Sequence, residues 1–274
     1  MKVFFLGTGS AEGLPALFCG CAICREAHRR GGRERRTRSS VLIDDTVKID
    51  LSPDTLANAH AYPQIRLWEL RHLLFTHSHD DHFAARELQY LSPNFAPLRR
   101  DPLQVWGSAD LIAKLLPETD GFFEPAPLEF RPVVPFEEYA VGHLAVTPVT
   151  AHHKPDELCL NYLLRDPAGR ALLYATDTGW YDPPTWEFLA GVPLHGVVVE
   201  CGKGESANGY DGHLNLDDAV RFRQRLLAGG GLAPAAPFFL THLCHTGLLL
   251  HEELSERCAP HGIRVAFDGM SLDL

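Results

Sequence analysis

Short apolar runs recur along the chain, and most of them end in polar residues able to do chemistry. Residues 3–6 lead into Gly7-Thr8-Gly9-Ser10, residues 73–76 end at His77, and residues 144–150 end at His152-His153. Runs at 197–200 and 238–241 follow the same habit. Branched and aromatic side chains bounded by Gly, Pro and Asp favour extended backbone, because they pack well on a pleated surface. Two pairs of runs are separated by polar turns and read as hairpins: 41–43 with 47–50 across Asp44-Asp45, and 162–165 with 171–176 across Asp166-Pro167-Ala168-Gly169. Helical stretches fall between the strands, near 84–91, 109–116, 216–227 and 249–258. Asn215 or Asp217 would cap the third by accepting free backbone N–H groups. No repeat or linker interrupts this order. The sum is a mixed α/β protein, sheets face to face with helices outside, in one domain over residues 1–274.

A hydrophobic fraction of 45% is enough to build a sizeable core. Residues 1–6 reach Gly7 too soon for a signal peptide, and no apolar stretch has the length to cross a bilayer, so a cytoplasmic protein without membrane partners is expected. The formal net charge of −10 argues against general nucleic-acid binding, since phosphate backbones select basic surfaces. Seven arginines nonetheless crowd into residues 25–38. Most read as a solvated loop, with Arg38 a candidate contact for an anionic substrate. Of seven cysteines, Cys19, Cys21 and Cys24 form a tight cluster, which without a secretion signal favours a metal over disulfides. Cys159, Cys201 and Cys258 are scattered and read as small core residues.

Fifteen histidines are unusual, and they concentrate most in Thr76-His77-Ser78-His79-Asp80-Asp81-His82. Alternate residues of an extended segment point the same way, so His77 and His79 can converge on one metal. Asp81 and His82, past the turn, can face a second. A plain helix cap at Asp80 or Asp81 would leave three histidines and a carboxylate packed together unexplained. Nitrogen and oxygen donors without thiolate suit zinc, manganese or iron.

This HxHxDH pattern resembles the signature of the metallo-β-lactamase superfamily of binuclear hydrolases. The resemblance covers nearly the whole chain and implies an αββα sandwich of two mixed β-sheets with helices outside. It implies that His77, His79 and His153 hold one divalent ion and that Asp81, His82 and His242 hold another. Asp177 would bridge the two, with a metal-activated water shared between them as nucleophile. Asp50 matches an early aspartate that supports the site. His152 and His153 are neighbours pointing different ways; in the family the ligand lies five residues after a proline, which at Pro148 selects His153.

The Cys19-Gly20-Cys21-Ala22-Ile23-Cys24 loop together with Thr241-His242-Leu243-Cys244-His245 resembles one branch of that superfamily, which includes phosphoribosyl 1,2-cyclic phosphate phosphodiesterases. Gly7-Thr8-Gly9-Ser10, Arg38-Ser39-Ser40 and Phe267-Asp268-Gly269-Met270 add to the likeness. The branch implies a structural zinc on Cys19, Cys21, Cys24 and His245, a set that closes a tetrahedron. Cys244 competes with His245 for the fourth place. Asp81, Asp50 and His213 would be the catalytic side chains, His213 as general acid beside its plainer reading as a loop histidine. Arg38 and Lys154 would meet the substrate, a small phosphodiester of the ribosyl 1,2-cyclic type. Residues 155–161 and 202–212 match no strict branch pattern. A tRNA 3′-processing nuclease shares the ligands, but no basic arm for tRNA stands in the sequence. Thioester or lactone hydrolysis is a further enzymatic rival. Pyrroloquinoline quinone biosynthesis B proteins, which resemble the chain in their cysteine loop but depart from the complete HxHxDH set, are the non-enzymatic one. Relatives are often homodimers, and no segment here identifies an interface.

Overall fold

The apolar runs pair into two mixed sheets in the computed structural model, which describes residues 1–99, 101–120, 125–207 and 209–274. The first sheet takes β1 (Lys2–Gly7), β2 (Ser40–Ile43), β3 (Val47–Ile49), β4 (His72–Leu74), β5 (Leu103–Gly107) and β6 (Leu128–Pro132). The second takes β7 (Tyr139–Val141), β8 (Leu144–Thr150), β9 (Leu160–Arg165), β10 (Ala171–Ala175), β11 (Gly196–Glu200), β12 (Phe238–Thr241) and β13 (Arg264–Val265). The last strand, β14 (Ser271–Asp273), returns to the edge of the first sheet beside β1. Both predicted hairpins form. Val41 pairs with Ile49 across a turn in which Asp44 and Asp45 both have positive φ, and Leu164 pairs with Leu172. β3 to β6 run parallel, as do β10 to β13.

Helices α1 (Ala22–Arg30), α2 (Thr55–Ala61), α3 (Ala109–Thr119), α4 (Pro183–Leu189), α5 (Leu216–Ala228) and α6 (His251–Cys258) complete the layers. Alternation along each strand decides which layer a residue fills. On β11, Val198 faces the space between the sheets while Val197 and Val199 face α5. Phe239 on β12 likewise joins the inter-sheet core, and Phe238 and Leu240 the outer one with Trp186 and Phe222. Both faces of these strands are buried, so their sequences read as unbroken apolar runs. A third core packs α3 against the outer face of the first sheet through Leu111, Ile112 and Leu115. Asn215 caps α5 by accepting from the Asp218 amide at 2.8 Å.

Several expectations need correction. The stretch at 84–91 is a 3-10 helix, Ala85–Leu91, tied back to the first sheet by a backbone bond from Ala84 to Leu51. The helix expected from 249 starts at His251. Most of the arginine-rich segment is solvated as expected, with Arg25, Arg29, Arg30, Arg33 and Arg35 exposed, but it is not a loop: it supplies α1, a turn at Gly32–Glu34 and a bridge to Gly9. Arg36 is buried, its guanidinium donating to Thr8 Oγ1 (2.7 Å) and the Ala266 carbonyl (2.6 Å) and lying 2.9 Å from His251 Nδ1. Among the described residues, no helix is long and apolar enough to cross a membrane.

The arrangement matters for what stands at the strand ends. β3 is followed by Asp50, β4 by Thr76 and His77, and β8 by His152 and His153; β10 leads to Asp177 and β12 to His242, while Glu200 closes β11.

Candidate metal centres

Three of these strand-end residues leave the sheet through an unusual backbone turn. Asp50, Asp177 and His242 have φ of 61°, 51° and 55°, the left-handed region that L side chains enter at a cost of roughly 1 kcal/mol or more. The turn breaks the up–down alternation of the strand and aims all three side chains at a common edge between the sheets.

Two donor groups meet there. The nitrogens of His77, His79 and His153 lie within 4.8 Å of one another, with His79 Nδ1 3.0 Å from His77 Nε2 and 3.1 Å from His153 Nε2. Asp81, His82, Asp177 and His242 form the second group. His82 Nε2 is 3.0 Å from both Asp81 Oδ2 and Asp177 Oδ2, and His242 Nε2 is 3.1 Å from Asp177 Oδ1. Asp177 Oδ1 also lies 3.8 Å from His153 Nε2, so this one carboxylate touches both groups. The seven residues singled out from the sequence are thus brought together, from strand ends of both sheets.

Their partners set which nitrogen faces inward. His153 Nδ1 donates to the Gly212 carbonyl at 2.9 Å, leaving Nε2 toward the group. Asp50, wholly buried, accepts from the Thr76 amide (2.8 Å), the Thr76 hydroxyl (2.9 Å) and His82 Nδ1 (2.7 Å). Thr76 Oγ1 in turn is 3.0 Å from His77 Nδ1. Asp50 therefore orients one imidazole of each group, directly for His82 and through a hydroxyl for His77. Partners of this kind fix the tautomer of a metal-binding histidine.

The donor set fits a pair of cations. Burial pushes the pKa of His77 well below its usual range and lowers those of His79 and His153, which keeps these rings neutral with a lone pair to offer. Burial alone would raise the carboxyls of Asp81 and Asp177, but His82 and His242 beside them hold both below the ordinary range. His82 goes the other way: burial opposes its charge, and Asp177, Asp81 and Asp50 push its pKa well above normal. Three carboxylates in so dry a place call for positive charge. His82 Nε2 and His242 Nε2 are buried and lie 3.0–3.1 Å from these carboxylate oxygens without the geometry of a hydrogen bond, an arrangement that a cation among them would satisfy.

His213 stands at the same edge, its ring 4.8 Å from that of His153 and stacked 5.4 Å from that of His242. Sequence reasoning missed its partner. Glu200, fully buried, accepts from His213 Nδ1 at 2.9 Å, the Leu214 amide at 3.0 Å and the Gly202 amide at 2.5 Å. Burial opposes a charge on His213, yet Glu200 outweighs it and raises the pKa to about 9. The signal was present, since the run 197–200 ends in a charged residue as the other site strands do. Tyr210 packs edge-on against both His153 and His213. His152 faces outward to Asp182 (3.3 Å) and Asp211 (3.5 Å). Of the two candidate substrate contacts, Arg38 is engaged by Asp54 at 3.0 Å and by the Ala11 carbonyl, and Lys154 lies on Glu157 at 3.0 Å.

A second centre lies at the start of α1. Cys19, Cys21, Cys24 and His245 offer four ligand atoms within 4.8 Å of each other, with His245 Nδ1 3.6 Å from the sulfurs of both Cys19 and Cys21. The Cys24 amide donates to Cys21 Sγ, and with His245 it lowers that thiol's pKa to about 6, whereas burial pushes Cys24 up to about 12. Three sulfurs and one imidazole nitrogen suit a tetrahedral zinc. Cys244 is turned away, its thiol 2.8 Å from Glu12. Glu12 also meets His245 Nε2 at 3.2 Å.

Comparison with known proteins follows the same lines. Residues 45–242 match a family model described as the Beta-lactamase superfamily domain. Coenzyme PQQ synthesis protein B of Azoarcus sp. (strain BH72) is 26% identical over the full length of both chains. An octanoyltransferase of Porphyromonas gingivalis is 36% identical over 86 residues, a stretch that spans 30% of this chain and 16% of that protein. Among solved structures, a diphosphatase from the PhnP family superposes over 100% of this chain and 97% of its own, at 24% identity and a TM-score of 0.76.

Proposed function

The chain belongs to the β-lactamase superfamily, and from that membership we propose that it is a metal-dependent hydrolase of small phosphodiesters, with a ribosyl 1,2-cyclic phosphate as the leading substrate type. One observation carries this reading. Histidines and carboxylates from four separate strand ends converge on two adjoining donor groups that share Asp177. In this reading His77, His79 and His153 hold one ion, Asp81, His82 and His242 the other, and Asp177 spans them. Zinc or manganese is the expected metal, with iron a further candidate, and Cys19, Cys21, Cys24 and His245 hold a structural zinc.

When bound, a pair of divalent cations neutralises phosphoryl oxygens and lowers the pKa of a shared water to near neutrality. The chain's own residues do the rest. Asp50 and the Gly212 carbonyl hold three of the imidazoles in the tautomer that presents Nε2. Glu200 keeps His213 protonated with Nδ1 occupied, so its Nε2–H is the proton available to a departing alkoxide. Protonation of a leaving oxygen by a placed imidazolium is typically worth 10²–10⁴-fold in rate.

Similarity to a diphosphatase supports phosphorus–oxygen cleavage in general and leaves the leaving group to experiment. The full-length similarity to a coenzyme PQQ synthesis protein supports the chief rival, a binding or carrier role. The complete donor set favours the hydrolase. The test is hydrolysis of bis(p-nitrophenyl) phosphate by protein carrying about three ions per chain, two at the imidazole–carboxylate groups and one at the thiolates. His79→Ala is expected to abolish turnover. Metal-loaded protein that cleaves no phosphodiester, run beside ester and thioester substrates, would defeat the phosphodiesterase reading.

A further inference from the structure

Glu157 lies in the loop that follows His153, and its side chain is completely buried. One carboxylate oxygen accepts from the backbone amide of Ser78 at 2.9 Å, and the other from the Ser78 hydroxyl at 2.5 Å. Ser78 is the residue between His77 and His79. The same Glu157 oxygen takes Lys114 of α3 at 2.7 Å and Lys154 at 3.0 Å, and Lys114 Nζ also reaches Ser78 Oγ at 3.0 Å. A buried carboxylate is costly unless paired and hydrogen-bonded, and here four donors meet that need. Burial would raise the carboxyl's pKa, but Lys114, Ser78 and Lys154 hold it below the ordinary range.

The consequence lies in which segments this clamp joins. His77 and His79 leave the first sheet after β4, while His153 leaves the second sheet after β8. More than seventy residues separate the two loops along the chain, and besides packing they are joined nearby by the Leu160 amide bonding the Thr76 carbonyl and the Tyr162 hydroxyl bonding the Phe75 carbonyl. From the loop that carries the third imidazole, Glu157 accepts from both donors of the residue between the other two. Placed sites need their donors held to within about 0.5 Å, and a two-point grip on one peptide stops it from rotating.

We propose that Glu157 is a positioning residue that sets the spacing of His77, His79 and His153 and thereby the affinity of the first ion, with Lys114 and Lys154 as the countercharge that keeps it in place. Lys154 then belongs to the clamp and not to the substrate. The proposal rests on the reading of those three histidines as ligands of one ion.

The experiment is metal titration of the full-length protein with zinc or cobalt against a chromogenic chelator, in parent, Glu157→Ala, Glu157→Gln and Ser78→Ala forms. Removing a residue that orients metal ligands typically weakens binding 10–100-fold. Glu157→Ala is expected to do so for one of the two ions at the imidazole–carboxylate groups only. The other ion and the thiolate-bound zinc should keep parental affinity, and the chelator-treated protein should unfold near the parental temperature. Glu157→Gln, which can still accept from the Ser78 amide, should recover much of the loss. Should Glu157→Ala fail to fold, Ser78→Ala, which removes one of the two bonds, decides through a smaller loss at the same ion. Parental affinity in all variants, or equal weakening of every ion together with global destabilisation, overturns the proposal. A parent that binds no ion pair at all would instead sink the hydrolase reading beneath it.

Discussion

Asp50→Asn separates what a buried carboxylate does for folding from what it does for metal binding. Asparagine is nearly the same size and tolerates positive φ, so the backbone at 61° is kept. Its oxygen can still accept from the Thr76 amide, whose direction is fixed by the backbone bonds around it, and from the Thr76 hydroxyl. Its amide nitrogen must then face His82 Nδ1, now 2.7 Å from the carboxylate oxygen. Two donors cannot share that contact, so the imidazole moves its proton to Nε2, the atom aimed at Asp81 and Asp177. Undoing that choice means confronting a buried donor with another donor, a cost of about 1–3 kcal/mol. At about 1.4 kcal/mol per decade this is roughly a 10–100-fold loss in affinity for the ion held by Asp81, His82 and His242. The ion held by His77, His79 and His153 should be less affected, because Thr76 keeps its acceptor. Folding should suffer less, by about 1–2 kcal/mol, as a charge-assisted bond becomes a neutral one. Chelator competition reads the first quantity and urea unfolding of chelator-treated protein the second. If Asp50→Asn bound both ions as tightly as the parent, the orientation argument would be wrong.

Other consequences follow from the same geometry. Glu200→Gln should leave KM for bis(p-nitrophenyl) phosphate near the parental value and cut kcat by about 10²-fold, since it removes the carboxylate that keeps His213 protonated; an unchanged kcat would remove His213 from the reaction. A Cβ at Gly179 would lie 1.7 Å from the Asp211 carbonyl oxygen, so Gly179→Ala forces a backbone shift at 179 or at 211, two residues from His213. Thermal unfolding should report a loss of about 1–3 kcal/mol, and turnover should fall with it. Asp166, in the β9–β10 turn, has its carboxyl lowered to about 2: burial opposes this, and the Arg170 guanidinium at 2.6 Å outweighs it. A carboxyl depressed in the folded state stabilises above its unfolded pKa near 4 and loses that contribution as pH falls toward 2. Chelator-treated Asp166→Asn should therefore be less stable at neutral pH by at most about 2 kcal/mol, with the difference shrinking below about pH 4 and disappearing as pH falls through about 2; a constant difference across that range would refute it.

Much of this protein is decided locally. Alternation and turn residues alone indicate the hairpins at Asp44-Asp45 and Asp166-Gly169, because pairing there needs only neighbours in the chain. His77, His79, Asp81 and His82 stand close enough in sequence for one loop to present them all, and Cys19, Cys21 and Cys24 likewise, so these donors can be read before any fold is known. Even His153, Asp177 and His242 show a local mark, each following an apolar strand. Other features have no local mark because they are contacts between distant parts of the chain. Arg36 reads as one more exposed arginine until Thr8, Ala266 and His251 enclose it. His245 is the expected fourth partner with Cys244 competing, and the choice is settled only when Glu12 draws the thiol one way and the two sulfurs face the ring. Lys154 looks like a free cation until Glu157 takes it, and Glu200 looks like a strand terminus until it meets His213. Residue type and spacing determine which groups can bind a metal or carry a proton. Only the tertiary structure decides which are dry, which are paired and which way each nitrogen points, because those depend on the field of neighbours that folding brings from elsewhere.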